Sequence, residues 1–382
     1  MLRGLKKLAG KLHLWLGLAT GLIVIIIGLT GCLYVFEAEL RQWSQADYLS
    51  VPARAQPRLT LDRLLDSARL AAQGSKIMQV RVTEQQPGAT VAMVTKDQRV
   101  LFLDPYTGLV VHRGGQDWLA VVQSIHISLL LGETGKAIIK WSVVIFVLML
   151  ATGLILWFPG QLRLLRQSLT IKRKASFKRL NYDLHNVLGF YASFVLLITA
   201  CSGLFFAFKE VKSAVAFFTG SRISEGIVPA TPVRFSGNEP AMYRQMYEWA
   251  SLRYPGAGQA SFSVRKNGEL RLRLLFPYKW YRKQHTFFFN AENGTLKRYK
   301  LYPSFSRADK AEALNYDLHT GQLFGLPGKI LACLASLTAA SLPVTGFIIW
   351  WKKGRKRKPR TRRHRKLRLS LGKSAALPAE LS

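Results

Sequence analysis

Cysteine is nearly absent from this chain of 382 residues: Cys32, Cys201 and Cys333 are the only three, each inside an apolar run with no partner close in sequence. That excludes a disulfide framework and any Cys-x-x-Cys site, and leaves the three as small packing residues. Acidic residues are scarce too, 21 Asp and Glu against 55 Lys and Arg, for a net charge of +34. No His-Glu-x-x-His, no Gly-x-Gly-x-x-Gly after a strand, no phosphate-binding loop and no Gly-x-Ser-x-Gly occurs, so zinc-protease, dinucleotide, nucleotide and serine-hydrolase chemistry lack their residues. The basic excess raises the question of nucleic acid, but no recognition motif or interleaved aromatic pattern accompanies it. Nucleic acid is therefore not an expected partner.

What is present is long uncharged sequence. The runs Leu14–Phe36, Trp141–Phe158, Asn186–Phe208 and Ile330–Trp351 each approach the roughly 20 residues that cross a hydrocarbon core about 30 Å thick. Four transmembrane helices are expected, the first too long for a signal-peptide core and so retained. Lys and Arg then set the orientation. They crowd at Arg3, Lys6, Lys7 and Lys11, between Arg163 and Arg179, and from Lys352 to Lys373, the positions of cytoplasmic segments. Both termini are expected inside and the two long connections outside. The basic tail can also attract anionic membrane lipid.

The expected organisation runs as follows. Residues 1–36 are the first membrane helix with its basic N-terminus, 37–120 a first external module, 121–160 the second helix, and 161–180 a basic cytoplasmic linker. Residues 181–208 are the third helix, 209–312 a second external module, 313–352 the fourth helix, and 353–382 a basic tail. In each module a helical spacing (Leu61–Ala72, Met242–Tyr254) precedes alternating strands: Ile77–Thr83, Thr90–Thr95, Arg99–Leu103 and Leu109–His112, then Ser261–Val264, Glu269–Phe276 and Thr286–Asn290. Asp104–Gly108 and Asn290–Gly294 are matching turns. The fold class is thus a mixed membrane protein, four transmembrane helices in two duplicated halves, each with an external α+β module.

The pentapeptide Asn181-Tyr182-Asp183-Leu184-His185 returns as Asn315-Tyr316-Asp317-Leu318-His319, and His13 and His126 stand at matching places before the other two apolar runs. At constant offsets, Thr30-Gly31 aligns with Ser202-Gly203, and Thr152-Gly153 with Thr345-Gly346. One histidine at the same place in four costly membrane positions asks for a common use, and metal or haem ligation leads. Topology pairs them: His13 with His185 at the cytoplasmic starts of outward helices, His126 with His319 at the external starts of inward ones. A haem between each pair would have Gly17/Gly189 and Gly132/Gly325 beside it; close helix packing is the other reading of those glycines.

The histidine starts, the segments Ile125–Lys136 and Leu318–Lys329, the Asp104-Pro105-Tyr106-Thr107-Gly108 turn and the order helix, module, helix, taken twice, resemble the PepSY-associated transmembrane helix family of iron-regulated bacterial inner-membrane proteins, and its siderophore reductases in layout. That resemblance covers nearly the whole chain. It implies PepSY-like modules, two haems b on His13, His185, His126 and His319, and reduction of ferric siderophore in the periplasm by an electron from an unidentified cytoplasmic or quinol donor.

Other residues carry open readings. The stretch Tyr278–Lys283 with Arg271 and Arg273 could stack on and attract a bulky anionic chelate, or rest as an interfacial belt on lipid headgroups. Tyr182/Asp183 and Tyr316/Asp317 could orient an imidazole or reach a propionate, or merely cap helices. His112, His285 and His364 are expected at the surface. The competing function is a non-catalytic membrane scaffold or sensor whose histidines pack helices.

Overall fold

The computed structural model describes residues 2–115 and 117–354; His364 and nearly all of the basic tail lie outside the described residues. In chain order, α1 (Leu2–Tyr34) leads into a first soluble region with α2 (Leu61–Ala71), β1 (Ile77–Thr83), β2 (Val91–Thr95), β3 (Val100–Leu103) and β4 (Val110–Gly114). Then come α3 (Trp118–Ser128), α4 (Gly132–Trp157) and, after the linker, α5 (Phe177–Ala207). The second soluble region holds α6 (Glu239–Arg253), β5 (Gln259–Val264), β6 (Glu269–Leu275), β7 (Gln284–Asn290) and β8 (Leu296–Lys300). The chain finishes with α7 (Arg307–His319) and α8 (Gly325–Gly354).

Among the described residues, four helices are long and apolar enough to cross a membrane: Arg3–Tyr34, Gly132–Trp157, Phe177–Ala207 and Gln322–Lys353. Even the shortest, with 26 residues, rises roughly 39 Å at about 1.5 Å per residue. Large apolar side chains such as Trp15, Leu22, Trp141 and Phe194 point away from the bundle and are well over half exposed, a surface suited to lipid rather than water. α1 packs against α8 and α4, and α5 completes the square against α4 and α8. Glycine makes the α1–α8 seam tight: a Cβ on Gly28 would lie 2.8 Å from the Ser336 carbonyl oxygen, and one on Gly21 3.1 Å from Pro343. On the same seam Cys32 Sγ lies 2.7 Å from Cys333 Sγ. Sequence shows no partner for either cysteine; the fold supplies one because the two apolar runs cross.

The two soluble regions are not separate modules. Their strands form one antiparallel eight-stranded sheet in the order β4-β3-β2-β1-β5-β6-β7-β8. β1 joins β5 with Val80 opposite Phe262 and Arg81 opposite Ser261. Each is the first strand of its own meander and would otherwise leave an unpaired edge, so the pairing satisfies two rows of backbone groups at once. One face of the sheet, with Val80, Phe262, Leu272 and Phe287, is buried against Leu64 and Leu65 of α2 and Met246 of α6. The matched turns appear as expected: Asp104 Oδ1 accepts the Tyr106 N–H at 2.7 Å, Asn290 Oδ1 accepts the Glu292 N–H at 2.8 Å, and Gly108 and Gly294 take φ of +72° and +68°. β8 was not expected, because Leu-Lys-Arg-Tyr-Lys offers only one fully buried residue.

Candidate functional site

The four histidines form two pairs at opposite ends of the bundle. At the end nearest the sheet, His126 and His319 have ring centroids 6.3 Å apart with planes at 66°. At the end nearest the linker, His13 and His185 are also 6.3 Å apart, with planes at 90°. His13 and the Thr30 that touches His126 are 17 residues apart on α1, which places the two pairs roughly 25 Å apart along the bundle.

The histidines are not, however, all at helix starts. His13 lies inside α1, and His185 occupies a π-helical turn, Leu184–Leu188, within the continuous α5, a local widening common at functional positions. His126 and His319 belong to the separate helices α3 and α7, and the chain turns sharply before entering α4 and α8. Leu129, Leu130 and Gly132 take φ of 50°, 61° and 58° in the first turn, and Gly321 and Gly325 take 73° and 63° in the second. A Cβ on Gly135 would collide with the Ser128 carbonyl, and one on Gly328 with that of Gly321. The positive φ at Gly132 and Gly325 and the close approaches at Gly135 and Gly328 let each helix fold back on the next.

Each imidazole is fixed by a hydroxyl on another helix. His13 Nδ1 lies 3.1 Å from Thr152 Oγ1, His126 Nδ1 3.1 Å from Thr30 Oγ1, His185 Nδ1 2.8 Å from Thr345 Oγ1, and His319 Nδ1 2.8 Å from Ser202 Oγ. All four hydroxyls donate their own proton to a carbonyl in the preceding turn, namely Leu148, Ile26, Ser341 and Thr199. They can therefore only accept from the ring, so every Nδ1 carries the proton. His126 and His319 confirm it independently, since their Nδ1 atoms also lie 3.1 and 3.0 Å from the carbonyl oxygens of Ile27 and Thr199, which are acceptors only. Nε2 is left as the free, unprotonated nitrogen on all four rings, the form that ligates a metal.

The glycine after each hydroxyl seats the ring. A Cβ on Gly31, Gly153 or Gly346 would lie 3.1, 3.3 or 3.2 Å from Cε1 of His126, His13 or His185, and one on Gly203 would lie 3.6 Å from His319 Cε1. Thus the Thr-Gly and Ser-Gly dipeptides, visible in the sequence only as repeat markers, are the cradle of the histidines. Their constant spacing, 17 residues after His13 and His185 and 26 after His126 and His319, was the available signal.

The repeated pentapeptide divides its labour differently from either sequence reading. Asn181 Nδ2 donates to the Thr345 carbonyl at 3.0 Å and Asn315 Nδ2 to the Ser202 carbonyl at 3.1 Å, so each asparagine holds the residue that holds the histidine one turn later. The aspartates are buried and pair with cations rather than with a histidine. Asp183 takes Arg179 at 2.8 Å and the Lys172 N–H, while Asp317 takes Arg282 and the Tyr278 hydroxyl, both at 3.3 Å. Arg282 also lies 4.0 Å over the Tyr316 ring. The Tyr278–Lys283 stretch is thereby anchored on α7, with Trp280 left 60% exposed.

A cavity of about 440 Å³ opens at the linker-side pair, lined by His13, His185, Gly17, Gly189, Gly153 and Gly346 among others. That volume falls within the roughly 300–1,000 Å³ of small-molecule and cofactor sites. Two imidazoles 6.3 Å apart leave space for one metal between them, at roughly 2 Å from each nitrogen. Two protein ligands alone undersupply such an ion, whereas a macrocycle brings its own in-plane donors. The donor chemistry and spacing of both pairs, together with the cavity at the linker-side pair, are compatible with haem.

Two of the remaining histidines, His285 and His112, differ from expectation. His285 is buried, 4% exposed, between Tyr254, Phe276 and Tyr302, and its Nδ1 accepts the Tyr302 N–H at 3.2 Å. Burial pushes its pKa down to about 4. His112 is half-buried, stacked 3.9 Å from Tyr48.

Among known families, one whose description reads PepSY-associated TM region matches residues 11–353. Among curated proteins none matches the chain.

Proposed function

Because this chain belongs to the PepSY-associated transmembrane family, matched over residues 11–353, we propose that it is a di-haem b inner-membrane reductase that carries electrons outward and reduces ferric siderophore in the periplasm. In this reading the linker end is cytoplasmic and the sheet, built from two duplicated PepSY-like halves, is periplasmic. Four histidines with Nδ1 committed and Nε2 free, paired at both ends of a membrane bundle, carry the reading.

His13 and His185 would hold the inner haem, His126 and His319 the outer one. Haem supplies one-electron chemistry at an iron whose oxidation state changes without proton transfer. The chain's own residues do the rest. Thr152, Thr30, Thr345 and Ser202 hold ring orientation and tautomer, which also raises the basicity of the ligating nitrogen. The apolar bundle excludes water between the two pairs. One electron delivered from a cytoplasmic or quinol donor converts one ferric chelate to ferrous, and ferrous iron is held less strongly by hard oxygen ligands, so the metal is released for import.

The decisive measurement is a reduced-minus-oxidised absorption spectrum of the purified protein with quantified haem. Two b-type haems per chain are expected, one lost from His319→Ala and the other retained. A colourless, folded protein would sink this reading and leave a membrane scaffold or sensor.

A further inference from the structure

On the sheet face turned away from α2 and α6, three arginines stand together. Arg81 on β1 pairs across with Ser261 on β5, and Ser261 with Arg273 on β6. Strands about 4.8 Å apart put the two arginines roughly 10 Å from each other with a serine between. Arg271, two residues before Arg273, shares that face, and its Nε donates to Ser263 Oγ at 3.2 Å.

This face overlies the sheet-side histidine pair. Arg81 lies within electrostatic reach of Arg41, of Glu37 just past the end of α1 and of Asp117 at the start of α3, with the Tyr34 hydroxyl also near. Tyr34 lies one turn beyond the Thr30-Gly31 that cradles His126, and Tyr316, under Arg282, lies one turn before His319. A group held between the arginines and these tyrosines is about one helical turn, roughly 5 Å, beyond the pair.

The nearby carboxylates are already engaged. Glu37 and Asp117 both hold Arg41, and Asp317 holds Arg282. Among the described residues no carboxylate forms an ion pair with Arg81, Arg271 or Arg273. Arg81 keeps solvent-exposed surface and yet is desolvated enough by surrounding protein to lower its pKa, the combination expected of a side chain lining a concavity. Desolvation, together with Arg271, Arg282 and Arg81, pushes the Arg273 pKa down to about 10. Crowded cations with no ion-pair partner of their own are costly, and a bidentate oxyanion would recover that cost.

We propose that Arg81, Arg271 and Arg273 form a recognition site for the carboxylate groups of the ferric chelate, so that the preferred substrates are chelates of net negative charge. This rests on the reductase reading above. A lipid phosphate shares the chemistry and is separated by the test.

The test uses full-length protein as purified, in phosphatidylcholine nanodiscs, titrated calorimetrically with gallium citrate, a redox-inert anionic chelate, and with a neutral gallium trihydroxamate. Gallium citrate should bind more tightly at low salt than at high salt. Arg81→Gln and Arg273→Gln should each weaken it about tenfold or more and leave the trihydroxamate unchanged. Arg81→Lys, which keeps charge but loses the fork, should fall between and guards against misfolding of the glutamine variants. Absent gallium citrate binding, or binding unaltered in the variants, overturns the site. Phosphatidylglycerol that copurifies with the wild type, is lost from the variants and abolishes gallium citrate binding when added would assign the site to lipid and overturn it too. Gallium citrate binding without reduction of ferric citrate by pre-reduced protein keeps the arginine site and sinks the reductase reading. Variants that reduce ferric citrate at the wild-type KM keep the reductase and sink the site.

Discussion

Thr30 Oγ1 lies 3.1 Å from His126 Nδ1 while donating its own proton to the Ile26 carbonyl at 2.7 Å. α1 therefore carries a histidine near one end and the acceptor for another helix's histidine near the other. α4 returns the relation, for its Thr152 holds His13. α5 and the α7–α8 hairpin repeat it, with Ser202 holding His319 and Thr345 holding His185. Clamping thus occurs within each half of the chain, whereas each histidine pair takes one member from either half. Neither half makes a complete site alone.

Removing one clamp at constant volume should be felt at one pair. Thr345→Val keeps the shape of α8 but removes the hydroxyl acceptor of His185 Nδ1, so tautomer and orientation are held less firmly. Loss of such a supporting bond commonly costs about 10–100-fold in metal affinity. Haem titration of the apoprotein should show that loss at the His13/His185 pair, with the His126/His319 pair unchanged. Equal loss at both pairs would mean that the hydroxyl acts through the bundle as a whole.

The α1–α8 seam makes a chemical prediction. Cys32 and Cys333 sulfurs are 2.7 Å apart, while Cys201 is exposed on α5. Mild oxidation with copper phenanthroline in membranes should link Cys32 to Cys333, read by peptide mapping under non-reducing conditions. Cys201 should remain free and serves as the internal control. A Cys32–Cys201 link instead would show that the helices are arranged otherwise.

How much of this was legible depends on the range of the interaction. Hydropathy marks four spans, because crossing a membrane needs one contiguous apolar run, and the repeated histidines are visible because their spacing is linear. Thr152 and His13 are 139 residues apart, so only the fold can show that the hydroxyl serves the ring. The edge-to-edge union of β1 with β5 was hidden for the same reason: each strand's alternation reads identically whether its far edge is paired or exposed. His285 was misjudged because a polar residue in a strand suggests solvent, whereas Tyr254, Phe276 and Tyr302 close over it and the Tyr302 N–H satisfies its Nδ1.

That burial gives a pH dependence of known sign. The folded pKa of His285 is depressed to about 4, whereas an unfolded histidine titrates near 6.5. Between those values the unfolded chain binds the proton first, so stability is fully present above about pH 6.5 and is lost as pH falls toward 4. The loss is roughly 1–3 kcal/mol. His285→Gln keeps an acceptor for the Tyr302 N–H and removes the titration. Its melting temperature should fall less than the wild type's between pH 7.5 and 4.5, and parallel falls would show that other groups account for the acid sensitivity.

Orientation can be tested at two exposed positions on opposite sides of the bundle. Asn267 lies in the hairpin between β5 and β6, and Lys174 lies in the linker before α5. Lys and Arg concentrate in that linker and at the start of α1, which favours retention of the linker end in the cytoplasm, while the long connections that form the sheet are exempt, since long segments translocate largely regardless of charge. Asn267→Cys and Lys174→Cys, each in a background with the three native cysteines replaced by serine, should respond oppositely to a membrane-impermeant maleimide. In intact spheroplasts the first should label within minutes and the second only after lysis. Since the sheet-side pair must face the compartment that holds the chelate, labelling of the Lys174→Cys variant in intact spheroplasts would reverse the direction of electron flow and remove the periplasmic substrate from the proposal.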